Sequence, residues 1–559
     1  MVQKIFELLS REVKGLHETA YLIGLFTILS QLLGLIRDRL LAHLFGAGQT
    51  LDIYYASFRV PDLVFASVAS LVSFSVLIPF LVERLTRDRD RGAGFIDSVF
   101  SFFFFLIIAV CAALYLLAPQ ILPWLMPGFA ASDRLSELIL LTRILLLSPI
   151  LLGFSNFLAS IIQAHRRFMT YALSPIFYNT GIIAGIIILY PALGVVGLAW
   201  GVVAGALLHL LIQVPPAVKT GFFPRLRLDV AWSDIKNVVF LSVSRTFALS
   251  VGQLSQFVLI AFASLMAAGS IAVFNFSWNI QSVPLGIIGV SYSVALFPTL
   301  SRLISANDRR KFLEKMVVTA RHIVFWSVPA LVLFIVLRAQ IVRTVLGTGQ
   351  FDWQATRLTA AALAIFAVSL LAQNLVLLFI RAFYAAGDTR VPVTVNTFSA
   401  AGTIAMAFLF LKLWNGYPLF GYFIETLFKV ESLSGTKVLA LVLAASVGAV
   451  LNAVALWFIF GRRFKGFSQP VLATFYHSFS ASVIMGAIVH GGLNIFDEVF
   501  NLNTLPGIFF QGFSAGLFGL AAGVIVLLAM GNLEIQEVFA AFRRKFWRVQ
   551  AITPEQETL

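Results

Sequence analysis

The densest chemistry in the chain lies within its first seventy residues. In Ser30-Gln-Leu-Leu-Gly-Leu-Ile-Arg-Asp38, residues Gln31, Gly34 and Arg37 or Asp38 recur at helical spacing and share one face. After a Gly46-Ala-Gly48 turn come Asp52, Ser57, Arg59 and Asp62, with Pro61 placed to bend a helix. Arg245, Asn279 and Gln281 are polar residues set into later apolar stretches. Guanidinium forks match phosphate oxygens, and a carboxylate beside them can pair with a cation and help switch a state. The chemistry such residues offer is anion binding controlled by ion pairs. Arg37, Arg59, Arg245, Gln31, Asn279 and Gln281 are therefore the candidate substrate-binding residues, and Asp38, Asp52 and Asp62 the candidate gating or ion-pair residues. Two readings stand side by side. The charges form an internal network, for example Arg37 with Asp52, that ties helices together, or they line a hydrated cavity. A network can also gate, so the two overlap.

Bond-making chemistry finds no support. The seven histidines are scattered without ligand spacing, and the chain has no Walker loop, HExxH or GxSxG. Cys111 is the only cysteine, which excludes an intrachain disulfide and a cysteine-based metal cluster. No cofactor and no metal site is expected, and the chain reads as a non-enzyme. Without a nucleotide site, any driving force is an ion gradient, the membrane potential or the substrate gradient.

The elements that position these residues follow from composition. Of 559 residues, 59% are hydrophobic and 12% charged, about half the charge of a soluble domain, and mean hydropathy is +0.93. Apolar runs centred near residues 32, 68, 106, 149, 180, 204, 250, 286, 328, 368, 402, 447, 483 and 518 read as about 14 transmembrane helices. The second, seventh and eighth are the more polar. Residues 1–18 space Ile5, Leu8, Leu9, Val13 and Leu16 as an amphipathic interfacial helix. With the N-terminus inside, 28 of the 40 Lys and Arg residues fall in inside segments and seven outside. The +14 net charge thus reads as a positive-inside surplus, not a nucleic-acid surface, with both termini cytoplasmic. The other five are intramembrane arginines: Arg37, Arg39, Arg59, Arg143 and Arg245. Arg39 could snorkel and Arg143 could pair with Glu137; mid-bilayer, each costs roughly 2.5 to 3.5 kcal/mol unless partnered or wetted.

Two halves resemble each other at a spacing of about 220 residues. Leu44-Phe-Gly-Ala-Gly48 matches Leu265-Met-Ala-Ala-Gly269, Leu77-Ile-Pro-Phe-Leu81 matches Leu296-Phe-Pro-Thr-Leu300, and Gln163-Ala164 leading to Pro175 matches Arg381-Ala382 leading to Pro392. The expected fold is an all-α polytopic membrane protein of two parallel six-helix lobes plus a C-terminal helix pair. The expected boundaries are an N-lobe over 19–218, a C-lobe over 219–465, the pair over 466–535 and a cytoplasmic tail over 536–559. Parallel bundles facing one another are how alternating-access transporters enclose a central site.

Gly34-Leu-Ile-Arg-Asp38, Leu44-Phe-Gly-Ala-Gly-Gln-Thr-Leu-Asp52 and Phe58-Arg-Val-Pro61 resemble the MurJ (MviN) family of lipid II flippases, within the superfamily that also holds the MATE drug exporters. Val283-Pro-Leu-Gly286, Leu296-Phe-Pro298, Arg381-Ala-Phe-Tyr384, Asp388-Thr389 and Pro392 are similar to its second-lobe signatures. The resemblance implies flipping of an undecaprenyl-pyrophosphate-linked peptidoglycan precursor from the inner to the outer leaflet by alternating access. It implies a role in peptidoglycan synthesis, cell-wall biogenesis and cell shape, in a bacterial cytoplasmic membrane. The implied partners are an anionic polyprenyl-pyrophosphate glycolipid, the lipid bilayer and other cell-wall synthesis proteins, with no nucleic acid. It implies that the head rides between the lobes and that the last two spans form a groove for the tail, with Arg37, Asp52 and Arg59 at functional positions. Gln31 and Asn279 stand where the family usually has cavity-lining arginines, Phe65 replaces another basic position, and Arg245 is an added cation. These departures keep two alternatives open: export of another polyprenyl-pyrophosphate-linked oligosaccharide, or cation-coupled drug export. A head with about two negative charges gains roughly 4 to 5 kcal/mol moving outward across 100 mV, which sets the direction.

Overall fold

The computed structural model describes residues 16–68, 89–165, 167–227, 229 and 232–547. Most of the expected 1–18 interfacial helix, the Leu77–Leu81 repeat match and the end of the tail lie outside the described residues, as does the side chain of Arg245.

The N-lobe comprises α1 (Leu16–Phe45), α2 (Gln49–Ser57), α3 (Arg59–Ser67), α4 (Arg89–Leu125), α5 (Leu135–Leu145), α6 (Leu147–Ala164), α7 (Phe168–Ala184) and α8 (Val195–Leu211). The C-lobe comprises α9 (Trp232–Ser264), α10 (Ser270–Pro284), α11 (Ser291–Ser305), α12 (Arg309–Val336) and α13 (Arg338–Leu346). It continues with α14 (Trp353–Val368), α15 (Leu370–Ala385), α16 (Arg390–Gly416), α17 (Pro418–Phe428) and α18 (Val438–Arg463). A C-terminal pair, α19 (Ser468–Asp497) and α20 (Leu505–Ala529), is followed by α21 (Leu533–Trp547).

Among the described residues ten helices are long and apolar enough to cross a bilayer, and the α14–α15 pair, bent by 44°, supplies an eleventh span. The expected centres at 32, 68 and 250 fall on or beside α1, α3 and α9, none of which is among those eleven spans. The count of 14 therefore holds for eleven by apolarity alone. The other three are where the polar residues are concentrated, and a helix that buries its polar face against protein need not be apolar all round.

The helix breaks follow the repeat. Span 4 is interrupted at Leu146 and span 10 at Ser369, close to the spacing between the halves. Span 8 passes through a π-turn, Leu285–Val290, directly after Pro284, whose missing N–H would otherwise leave a gap in the helical ladder. Pro61 stands in the first turn of α3, where no N–H is needed, so the break in span 2 falls just before it, at Phe58.

At one end the lobes share a single core, in which Leu41, Leu51 and Ile53 pack with Ile271, Val342 and Phe351. Toward the other end the described residues form separate cores. Phe95, Val99, Phe157 and Ile161 build one, which also takes in Phe222 and, from α9, Val238, and Leu300, Phe312, Phe379 and Phe460 build another in the C-lobe. The lobes are thus joined at the end carrying the Gly46–Gly48 turn, the end the Lys/Arg distribution places outside. There α17 presents Leu419, Tyr422 and Phe423 to the surroundings.

Candidate functional site: a polar seam along one helix face

The site is built on one face of α10. Its N-terminus leaves backbone N–H groups without helical partners, and Asp52 of α2 supplies the acceptor. Oδ2 accepts from Gly269 N at 2.5 Å and Oδ1 from Ala272 N at 2.8 Å, with Asp52 only 5% exposed. Among the described residues Asp52 therefore pairs with no arginine, Arg37 included. It caps a helix of the opposite lobe, where a carboxylate is favoured by both the free N–H groups and the helix dipole. The close approach depends on Gly269, whose φ is +90° and whose Cβ, if present, would stand 2.0 Å from the Ala47 carbonyl oxygen. The two repeat-related turns thus touch each other directly.

One turn further along α10, Asn275 accepts from Arg59 Nη2 at 2.6 Å. Another turn on, Asn279 Nδ2 donates to Asp38 Oδ2 at 2.9 Å. Asp38 is buried and also accepts from Arg37 Nη2 at 2.8 Å and Nε at 3.0 Å. Arg37 Nη1 reaches Asn179 of α7 at 3.3 Å, and Asn179 donates back to Ser30 of α1. Below these, Gln31 Nε2 lies 3.5 Å from where a Cβ on Gly286 would be. Asp52, Arg59, Asp38 and Gln31 of the N-lobe thus line up against residues 269–286. The stretch from Ala272 to Asn279 rises about 10 Å at 1.5 Å per residue.

Of the remaining candidates, Asp62 lies one turn from Arg59 on α3, within electrostatic reach but not in an ion pair. Gln281 is 1% exposed and its Nε2 has no partner among the described residues. Arg245 lies on α9, its side chain outside the described residues.

Other expected partners differ. Arg143 does not pair with Glu137. Its Nε donates to the Tyr115 carbonyl at 3.0 Å and its guanidinium lies over the Tyr115 ring, while Arg134 takes Glu137 at 2.8 Å. Arg39 does not snorkel; it donates to the carbonyls of Thr344 and Val345 and so caps the C-terminus of α13. Asp52 and Arg39 therefore hold opposite helix ends of the C-lobe, each with the sign that end favours. The sequence reading missed Asn179 and Asn275, and with them Tyr54, Tyr55 and Tyr178, which lie in the electrostatic environment of Arg37 and Asp38. Single asparagines in apolar spans and the Tyr-Tyr pair next to Asp52 were the available signals.

A buried network of this kind ties the two halves together at one end. The family described as lipid II flippase MurJ matches residues 41–511. The chain belongs to that family. Among curated relatives, the lipid II flippase MurJ of Burkholderia cenocepacia is 24% identical over 479 residues, covering 83% of this chain and 88% of the relative. The probable lipid II flippase MurJ of Vibrio cholerae is 25% identical over 553 residues, covering 94% and 98%. A solved structure of lipid II flippase MurJ in an inward closed conformation has a TM-score of 0.72 at 21% identity, covering 93% of this chain and all of that one. An inward-facing MATE-family multidrug transporter of the MOP superfamily gives 0.60 at 15% identity, covering 80% and 95%. Family membership places the chain among transporters, and the fold is shared with the drug exporters of the wider superfamily.

Proposed function

We propose that the chain flips lipid II, the undecaprenyl-pyrophosphate-linked peptidoglycan precursor, from the inner to the outer leaflet by alternating access. The observation that carries this reading is a shared wall. The π-turn Leu285–Val290 presents Gly286 to Gln31 in the polar seam, while Ile287 and Ile288 line an apolar groove of about 670 Å³. Tyr292, Leu333, Met485 and Leu520 are among the residues that line the rest of it. A charged head between the lobes and an isoprenoid tail in the groove would then be separated by one helix wall. The groove draws on α12, α19, α20 and α21, so the proposed tail site extends past the 466–535 pair to Val538 and Phe539.

In this reading the lobes are residues 19–218 and 219–465, the protein sits in the bacterial cytoplasmic membrane, and both termini are cytoplasmic. The seam is then the outer gate, closed here. Arg37 and Arg59 are held by Asp38 and Asn275 in the closed state and would face the pyrophosphate as the lobes separate, with Arg245 and Gln281 contributing from the C-lobe. Asp52 holds the gate through backbone N–H groups, a bond that any opening must break. Other cell-wall synthesis proteins are the expected neighbours. Purified protein in liposomes loaded with lipid II on one leaflet tests this directly. Transfer of lipid II, but not of phosphatidylglycerol, supports the reading, and equal or absent transfer of both overturns it.

A further inference from the structure

The groove has a second polar feature at the end away from the seam. Arg321 of α12 donates through Nε to Glu534 Oε1 at 2.6 Å and to Thr474 Oγ1 at 3.1 Å. Thr474 in turn donates to Glu534 Oε1 at 2.8 Å. Glu534 is buried, and Ile535, Val538 and Phe539 on the same helix, α21, line the groove. The two Nη nitrogens of Arg321 make no hydrogen bond to any described residue, and its side chain is 22% exposed. Beside it, His322 contacts Glu537 at 3.0 Å and stacks on Tyr292, while its Nδ1 is buried without a partner. The Tyr292 hydroxyl accepts from Trp326, and both rings line the groove.

A guanidinium fork fixed along its Nε edge, with both Nη nitrogens unbonded to any described residue, has donors left for a tetrahedral oxyanion. One turn further along α12, Phe325 and Trp326 line the almost wholly apolar groove, as does Ile535 next to Glu534 on α21. We infer that Arg321, with His322 beside it, is an entry site at the mouth of the groove for the phosphate of a long-chain polyprenyl phosphate. The tail lies in the groove and α21 closes over it. The inference rests on the lipid-carrier reading above and adds a docking step before the head reaches the seam. Glu534 fixes the fork but also offsets its charge, so it holds affinity down and lets the head move on.

The test is binding of undecaprenyl phosphate to the full-length protein in detergent. Uncharged undecaprenol, inorganic pyrophosphate and phosphatidylglycerol serve as separate probes. Arg321→Gln, which keeps a donor near Glu534, should weaken undecaprenyl phosphate binding at least tenfold and leave undecaprenol unchanged. Arg321→Lys should fall between, and Glu534→Gln should tighten binding several-fold. Cys111→Ser/Val538→Cys protein should label more slowly with a maleimide when undecaprenyl phosphate is bound. Wild-type binding that is untouched by Arg321→Gln and Glu534→Gln overturns the mouth site and leaves the transport reading standing. Inorganic pyrophosphate or phosphatidylglycerol competing as well as the polyprenyl lipid overturns the tail-plus-head assignment. Absence of undecaprenyl phosphate binding in every form, wild type included, counts against the lipid-carrier reading itself.

Discussion

Replacing Asp52 by Asn isolates the strongest single tie between the lobes. The carboxylate accepts two backbone N–H bonds from α10, at 2.5 and 2.8 Å, in a buried position. Asn keeps the size and one acceptor oxygen but turns the second position into a donor facing an N–H. One charge-assisted hydrogen bond is lost, worth about 1.5–3 kcal/mol, and with it the favourable charge at a helix N-terminus. None of this is recovered in the closed state, whereas an open state would solvate either side chain. The closed-to-open ratio should therefore fall roughly 10- to 150-fold. The readout is Ser270→Cys in a Cys111→Ser background, because Ser270 is 1% exposed at the N-terminus of α10. Its modification by a membrane-impermeant thiol reagent on intact cells measures outward opening. Asp52→Asn should raise that rate by the stated factor. An unchanged rate, at matched expression and with measurable labelling of the parent, would refute the assignment of Asp52 as the outer clasp.

Gly269→Ala attacks the same contact without touching charge, since a Cβ there would meet the Ala47 carbonyl and the backbone is left-handed. It should lower the melting temperature and raise Ser270→Cys labelling in parallel. Arg59→Gln and Asn275→Ala should be non-additive, with a coupling of about 0.5–3 kcal/mol in a double-mutant cycle on the labelling rate. The α21 latch carries a pH prediction. Burial pushes the Glu534 carboxyl up, but the Thr474 hydroxyl, a backbone N–H and Arg321 together pull it below its ordinary value of 4.5. A depressed folded value means the stabilisation is full above 4.5 and is lost as pH falls through the lower value. Labelling of Val538→Cys in the Cys111→Ser background, taken relative to a free thiol at each pH, should stay flat from pH 7 to 5 and rise only as pH falls below the ordinary 4.5.

Much of this was legible in the sequence because cost in a bilayer is legible. Arg37, Asp38, Asp52 and Arg59 stand out against apolar spans, and the Gly46–Gly48 turn and its match at Ala267–Gly269 announced the repeat whose two turns meet. Partners were harder to read. Asp52 binds backbone N–H groups, which every residue carries, so no side-chain pattern could point to α10. Glu137 lies three residues from Arg134 but six from Arg143, about 240° around the helix, so helical geometry alone favours the pair that forms. Asn279, at a position the resemblance implied to be basic, supplies a neutral donor to Asp38, whose charge Arg37 already pairs. The open Nη edge of Arg321 depends on how α21 folds back, which local sequence does not encode.

In the proposed mechanism the arginines held in the seam carry the pyrophosphate head of lipid II. Complementation of a bacterium depleted of its own lipid II flippase, scoring lipid II in the outer leaflet, tests it most directly. Wild type should restore outer-leaflet lipid II and growth, and Arg37→Ala at equal expression should not. Failure of well-expressed wild type to restore it, or full rescue by Arg37→Ala, would contradict the account.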